Sequence, residues 1–207
     1  MFTTAARGSM LDSLVPAFAA LFTGFPGQTF ANEVAGGSPA YARKAITFGA
    51  ASSGIRTSSG PVVFDVPAAA TVNWIGFATA ATAGTSLAVS PNGANPKEFQ
   101  VSTLVANSIY LPAHGYTAGQ QIVFYGSSTV PTGLTEGTTY VVCTAGGAGF
   151  TVDNFQVAQV ATPAVAIVIG TTQAGASCVV SVITPEPFVA AGGTFTLAVG
   201  ATVNLNF

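Results

Sequence analysis

The stretch Pro61-Val62-Val63-Phe64-Asp65-Val66-Pro67-Ala68-Ala69-Ala70-Thr71-Val72-Asn73-Trp74-Ile75-Gly76-Phe77 decides the fold class. Val62, Phe64 and Val66 alternate with Val63 and Asp65, the two-residue period of a strand that buries one face. Pro61 and Pro67 bracket this arm, so it is neither helical nor much longer than it looks. In the second arm Ile75 and Phe77 share a face with Asn73, while Trp74 lies opposite, beside Gly76. The arms read as a hairpin around the Pro67–Ala70 turn, with the single tryptophan as a packing anchor. No catalytic group accompanies them.

Working outward, the 207 residues hold one large or two small domains with real cores. Only 6% of residues are charged, against roughly 25% in an ordinary soluble domain. Mean hydropathy is +0.57, yet 24 glycines and 12 prolines interrupt the apolar runs. The basic residues are Arg7, Arg43, Lys44, Arg56 and Lys97, and the formal net charge is −2, which argues against a nucleic-acid partner. So little charge implies a surface covered in part by neighbours. The uncharged span from Val66 to Pro96 contains prolines, glycines and Asn73, and Ala164–Ile169 is far below the ~20 residues of a spanning helix. Membrane insertion is therefore not expected. Arg7 followed by apolar residues to Phe22 faintly echoes a signal peptide, but Asp12 and Pro16 interrupt it and none is expected.

Leu11, Leu14, Val15, Phe18, Leu21 and Phe22 recur at helical spacing, with Ser9 or Ser13 as N-cap and Gly24 as stop. This is the one expected helix. Tyr41 to Phe48 reads as a strand, so at most one of Arg43 and Lys44 faces water on the outer side. Two Pro-rich seams, Ser90–Pro96 and Thr184–Pro187, enclose four of the five tyrosines, the only histidine and both cysteines. The tail alternates Phe195, Leu197, Val199 and then Val203, Leu205, Phe207 around Gly200-Ala201, a second expected hairpin. The expected organisation is an outer domain, 1–92 plus 186–207, with an inserted β domain, 93–185.

Within the insertion, Phe99–Leu104, Ser108–Leu111, Gln121–Tyr125, Thr139–Cys143, Phe150–Val152, Ala164–Ile169 and Ser177–Ile183 read as strands. Turn signals such as His114-Gly115, Pro131-Thr132-Gly133 and Gly146-Gly147 separate most of them, which suggests a small sandwich or barrel. The fold class read from the chain is all-β. The outer domain is a β-sandwich, jelly-roll or Ig-like, with one N-terminal helix.

The run Gly37-Ser38-Pro39-Ala40-Tyr41-Ala42-Arg43, then Ile46-Thr47-Phe48, Val63-Phe64, Trp74-Ile75-Gly76-Phe77 and Ala80-Ala81-Thr82, resembles small structural proteins of tailed bacteriophages. Tail-fibre and tail-associated proteins belong to that group. Their Asp after the second strand's aromatic is absent, since Ala78 follows Phe77. The resemblance covers the outer domain, about half the chain, and ends in a hairpin similar to Phe188–Phe207. Around Leu111-Pro112-Ala113-His114-Gly115 and Pro131-Thr132-Gly133-Leu134, the insertion is similar to a β-module found in phage fibres and adhesins. The resemblance implies a virion protein, as capsid decoration, head fibre, or short tail fibre or adaptor, whose partners are other virion proteins. It brings no catalytic residues.

The residues themselves agree that no enzyme is expected. His114 lies in a turn, and one histidine with two distant cysteines falls short of a zinc site. The acids Asp12, Glu33, Asp65, Glu98, Glu136, Asp153 and Glu186 show no paired spacing. No catalytic site, metal or cofactor is expected. In a virion assembled in bacterial cytoplasm, Cys143 and Cys178 are expected as free, buried thiols. Tyr110, Tyr116, Tyr125 and Tyr140 are the candidate recognition surface, for a host glycan or receptor, weighed against tyrosines that border a core. The scarcity of charge further implies a homotrimer, held by outer-domain strands and the helix.

Overall fold

The computed structural model describes residues 3–13, 17–52, 55–126, 129–143, 150–170, 178–188 and 191–204. Over these residues it is all-β with one short helix, and the chain divides into two compact units. Unit one is Met1–Ser90 with Pro185–Phe207, and unit two is Pro91–Thr184. Both divisions fall in the Pro-rich seams.

Unit one begins with α1 (Thr4–Ser13), β1 (Phe18–Phe22), β2 (Lys44–Ala45), β3 (Ile55–Thr57), β4 (Val62–Val66), β5 (Thr71–Val72), β6 (Trp74–Ala78) and β7 (Ser86–Pro91). In unit two follow β8 (Lys97–Glu98), β9 (Gln100–Val101), β10 (Ile109–Tyr110), β11 (Gln121–Gly126), β12 (Thr139–Val142), β13 (Asn154–Phe155), β14 (Val157–Gln159) and β15 (Cys178–Val182). The tail returns to unit one as β16 (Glu186–Pro187), β17 (Gly193–Leu197) and β18 (Thr202–Asn204).

One four-stranded sheet, β2-β1-β6-β7, anchors unit one. The tail supplies three antiparallel ladders in nested order: β5 with β16, β4 with β17, and β3 with β18. Ala19, Leu21 and Phe77 of the sheet share a core with Val62, Phe64, Val66 and Phe195 of the β4–β17 ladder. The alternation in β4 is real, since Val62, Phe64 and Val66 are buried and Val63 is exposed. The expected hairpin is not formed. β4 pairs with β17, placing Phe64 opposite Phe195, and β6 pairs with β1. The reason lies in the turn, whose backbone bonds to the tail: Ala69 N–H donates to Phe188 O (2.6 Å) and Phe188 N–H to Ala70 O (2.8 Å). In the expected tail hairpin, the described strands β17 and β18 pair with β4 and β3; Leu205 and Phe207 lie outside the described residues.

The expected helix through Phe22 is corrected to α1, which stops at Ser13, followed by a strand over Phe18–Phe22. Leu14 and Val15 lie outside the described residues. Pro16 lacks an N–H and disfavours helical geometry in the residue before it. β1 then runs between β2 and β6 with both faces covered, so it is continuously apolar rather than alternating. The N-cap is Thr3, whose hydroxyl accepts the Ala6 N–H at 3.2 Å. α1 is anchored through buried Leu11, the Arg56–Asp12 pair (3.7 Å) and a bond from Arg56 Nη1 to Leu11 O (3.2 Å).

On the other face of β1, the Phe22 ring lies across Gly76. A Cβ there would sit 2.7 Å from Phe22 Cε2 and 3.3 Å from Ala88 O, so only glycine fits. Trp74 is 1% exposed and packs on Phe25 with centroids 5.0 Å apart, the anchor its mid-strand position indicated.

Unit two has a five-stranded sheet, β14-β12-β11-β15-β8, and a three-stranded sheet, β13-β10-β9. Ile122, Phe124, Tyr140, Val142 and Val180 from the first meet Val101, Ile109 and Phe155 from the second in one core. Its first and last residues lie side by side. Thr184 N–H donates to Asn92 O (2.7 Å), and Asn92 Nδ2 donates to Thr184 O (2.9 Å). Two expected strands are corrected. Phe150–Val152 is a bend followed by β13, and Ala164–Ile169 makes only a single bridge, Ala166 to Ala158. A turn from Thr162 to Val165 around Pro163 leaves Val165 and Val168 64% and 75% exposed. Cys143 and Cys178 are free and buried, and burial pushes the Cys178 thiol up to about 11.

Candidate interaction site

The four tyrosines of the expected surface do not share one. Tyr116 and Tyr140 are buried at 6% and 2% exposure, so their rings are core and cannot meet a partner. The Tyr140 hydroxyl accepts the Thr135 N–H at 2.8 Å. Tyr125 is half-buried on β11, and Tyr110 alone is exposed, at 38%.

Strand register decides what surrounds Tyr110. On β10 it faces Gln100 of β9 on one side and Asn154 of β13 on the other. Directly opposed residues point to the same face of a sheet. The adjacent row, Phe155–Ile109–Val101, is buried in the core. The three-stranded sheet therefore turns an aromatic ring flanked by two carboxamides away from its core. Sequence reasoning found Tyr110 but missed Gln100 and Asn154, whose place depends on pairing between segments far apart in the chain.

The loop after β9 walls this row. With Gln100, Ser102, Leu104, Tyr110 and Asn154 in its lining, a depression of about 170 Å³ opens beside the sheet. The loop is fixed from several directions. Ser102 Oγ accepts the Val105 N–H (3.1 Å), Ala106 O accepts from Gln156 Nε2 (3.2 Å), and Asn107 Oδ1 accepts the Ile169 N–H (3.2 Å). Leu104 stands 94% exposed at its tip. Asn154 Oδ1 is shielded from solvent and has no hydrogen-bond partner among the described residues.

Behind the row, His114 is structural. Its Nδ1 accepts the Tyr116 N–H (2.9 Å), so Nε2 carries the proton and donates to Thr151 O (2.8 Å). The ring packs on Tyr116 and Phe155, and Lys97 Nζ donates to His114 O (2.7 Å). Burial pushes the Tyr116 hydroxyl up to about 12, and that hydroxyl has no partner among the described residues.

In unit one the segment Gly36 to Arg43 forms a second polar cluster. Arg43 grips Glu33 with two bonds, Nε to Oε1 (2.8 Å) and Nη2 to Oε2 (2.7 Å). Its Nη1 donates to Ala80 O (3.1 Å) and Ala83 O (2.6 Å), and the guanidinium lies 3.9 Å from the Phe30 ring centroid. β2 covers only Phe18 and Ala19 of β1, so Leu21 needs another acceptor for its N–H. The Tyr41 hydroxyl provides it at 2.8 Å, and burial pushes that hydroxyl well above the ordinary tyrosine range. This cluster ties a loop to a strand, and its groups are already occupied. Lys44 pairs instead with Asp65 (3.1 Å). Among the described residues no His, Cys, Asp and Glu side chains gather as a metal site, and no helix is long and apolar enough to cross a membrane.

The Tyr41 and Arg43 cluster lies in the part of the chain that a family model matches. A family model described as podophage GP4 fiber I protein gp80 matches residues 3–110. The matched span runs past Ser90 into unit two as far as Tyr110, and does not include the tail. No curated protein and no solved structure matches the chain. Covering more than half of its length, the match establishes that the chain belongs to the podophage GP4 fiber I protein gp80 family, fibre proteins of the tailed-phage virion.

Proposed function

We propose that this chain is a non-enzymatic surface protein of the virion, a homotrimeric head fibre or decoration rather than a long tail shaft. The family match over residues 3–110 carries the reading. Commitment of the ionisable groups to structure supports a non-enzymatic role. Glu33, Asp65 and Asp12 pair with basic side chains, Glu136 and Asp153 bond backbone N–H groups, and both His114 nitrogens are engaged. The ten-residue α1 is too short for a coiled-coil shaft. The proposed trimer is supported by 6% charge together with exposed Val63 (50%), Val199 (63%) and Met10 (39%) in unit one.

Light scattering on the purified chain is expected to give three copies. Val63→Glu, on the outward face of β4, is expected to shift the chain towards monomer with the fold retained. A monomeric parent chain contradicts the trimer. Immunogold labelling of purified virions is expected to mark the head; label on the tail moves the attachment point, and no label overturns the reading. A second reading, recognition of a host glycan or receptor through unit two, is favoured by the Asn154–Tyr110–Gln100 row, in which Tyr110 and Gln100 are exposed and Asn154 is half-buried.

A further inference from the structure

We infer that the depression beside Tyr110 is a subsite for one uncharged sugar residue of a larger saccharide. The inference rests on the second reading above and gives it a place and a chemistry. The flanking geometry sets the class of ligand. One face of a pyranose ring is a patch of C–H groups suited to an aromatic ring, and its hydroxyls need in-plane donors and acceptors. Tyr110 offers the ring, with Gln100 and Asn154 as its cross-strand neighbours on the same face. Each carboxamide supplies both a donor and an acceptor.

Asn154 adds a specific need. Its Oδ1 is shielded from solvent and has no partner among the described residues, an unfavourable state for a buried acceptor. Turning the amide over would let Oδ1 accept from the Thr151 hydroxyl at 3.5 Å but would leave Nδ2 in the unmatched position. Since Oδ1 is shielded in the free chain, a sugar hydroxyl satisfies it only once the Asn154 side chain turns toward the depression.

Charge and size narrow the class further. Among the described residues no charged side chain lines the depression. An anionic sugar would lose hydration without gaining a cation, so a neutral one is favoured. Its volume of about 170 Å³ is below the roughly 300–1,000 Å³ of sites that enclose a whole small ligand. One ring fits, with neighbouring rings left in solvent beside Leu104. The bonds at Ser102, Ala106 and Asn107 hold the wall in place before any ligand arrives.

The test is saturation-transfer NMR on the full chain, with methyl glycosides of glucose, galactose, mannose and N-acetylglucosamine, and methyl sialoside as the anionic comparator. Transfer to the ring C–H protons of at least one neutral glycoside is expected. Tyr110→Ala is expected to weaken Kd about tenfold, while Tyr110→Phe keeps binding. Leu104→Ala changes a 94% exposed side chain, so it leaves the fold intact, and is expected to weaken binding about two- to threefold. Transfer to no neutral glycoside, to the sialoside alone, or undiminished in Tyr110→Ala overturns the subsite. Competition of the purified chain with phage adsorption to host cells separates the two readings. Competition without glycoside transfer overturns the subsite and keeps host recognition; loss of both overturns both.

Discussion

In unit one, Arg43 meets Glu33, Lys44 meets Asp65 and Arg56 meets Asp12. In unit two, Lys97, Glu136 and Asp153 each bond a backbone group instead. The pairs of unit one join separate segments: the 30s loop to the 40s loop, β2 to β4, and α1 to β3. The charges of unit two fix turns. Unit one is therefore a set of distant pieces that must be clamped, and three of its ladders need the tail. Unit two is one continuous segment whose strands find partners among themselves. Burial of the Arg43 side chain to 6% exposure makes its pair with Glu33 costly to break.

The largest expected effect follows from that dependence. Ending the chain at Thr184 removes β16, β17 and β18 and leaves three single strands without partners. Unit one is expected to lose its cooperative transition, followed by Trp74 fluorescence during urea unfolding. A preserved transition would show that the tail is dispensable and that the two units do not differ in this way.

Next in size is Trp74→Ala. The ring is 1% exposed, and truncating a buried aromatic costs about 3–5 kcal/mol. Circular dichroism during urea unfolding measures it. A loss below about 1 kcal/mol would mean that the ring is not part of the packed face.

Two tyrosines, Tyr41 half-buried and Tyr116 buried, give the smallest and most direct comparison. Tyr41→Phe strips the acceptor from the Leu21 N–H and is expected to cost about 1–3 kcal/mol. Tyr116→Phe removes a hydroxyl without a partner among the described residues, and is expected to be neutral or stabilising by up to about 1 kcal/mol at pH 7. The sign reverses the usual view that a lost hydroxyl is a lost bond. With a folded value of about 12 against 10.0, Tyr116 keeps its proton in the folded chain where the unfolded chain releases it. Its contribution is complete below about pH 10 and is lost as pH rises towards about 12. The urea midpoint of Tyr116→Phe is expected to fall less steeply across that window than the parent's.

Where the sequence was legible, the pattern belonged to a single strand with one buried face. Val62, Phe64 and Val66 announce such a strand by alternation, and Trp74 announces a core by its place among apolar neighbours. Pairing was not legible, because the partner of Phe64 is Phe195, a contact set by the whole fold. In the sequence β1 reads as helix for a related reason: a strand covered on both faces has no alternation to separate it from a helix face. The informative residue there was Pro16. In unit two, Ala164–Ile169 looked more strand-like than Asn154–Phe155 and Val157–Gln159, yet the second pair carries the sheets. Local apolar content misleads where a bend at Pro163 decides. The candidate site was legible only at Tyr110, since Gln100 and Asn154 come to its face through register alone.

The most direct test of the contrast between the units is the melting of residues 91–184 expressed alone. Its core lies within that segment, and its ends are already bonded to each other through Asn92 and Thr184. Circular dichroism is expected to show a β spectrum and one cooperative thermal transition. A chain that is soluble but melts without cooperativity would contradict the account, and would make unit two depend on unit one as unit one depends on its tail.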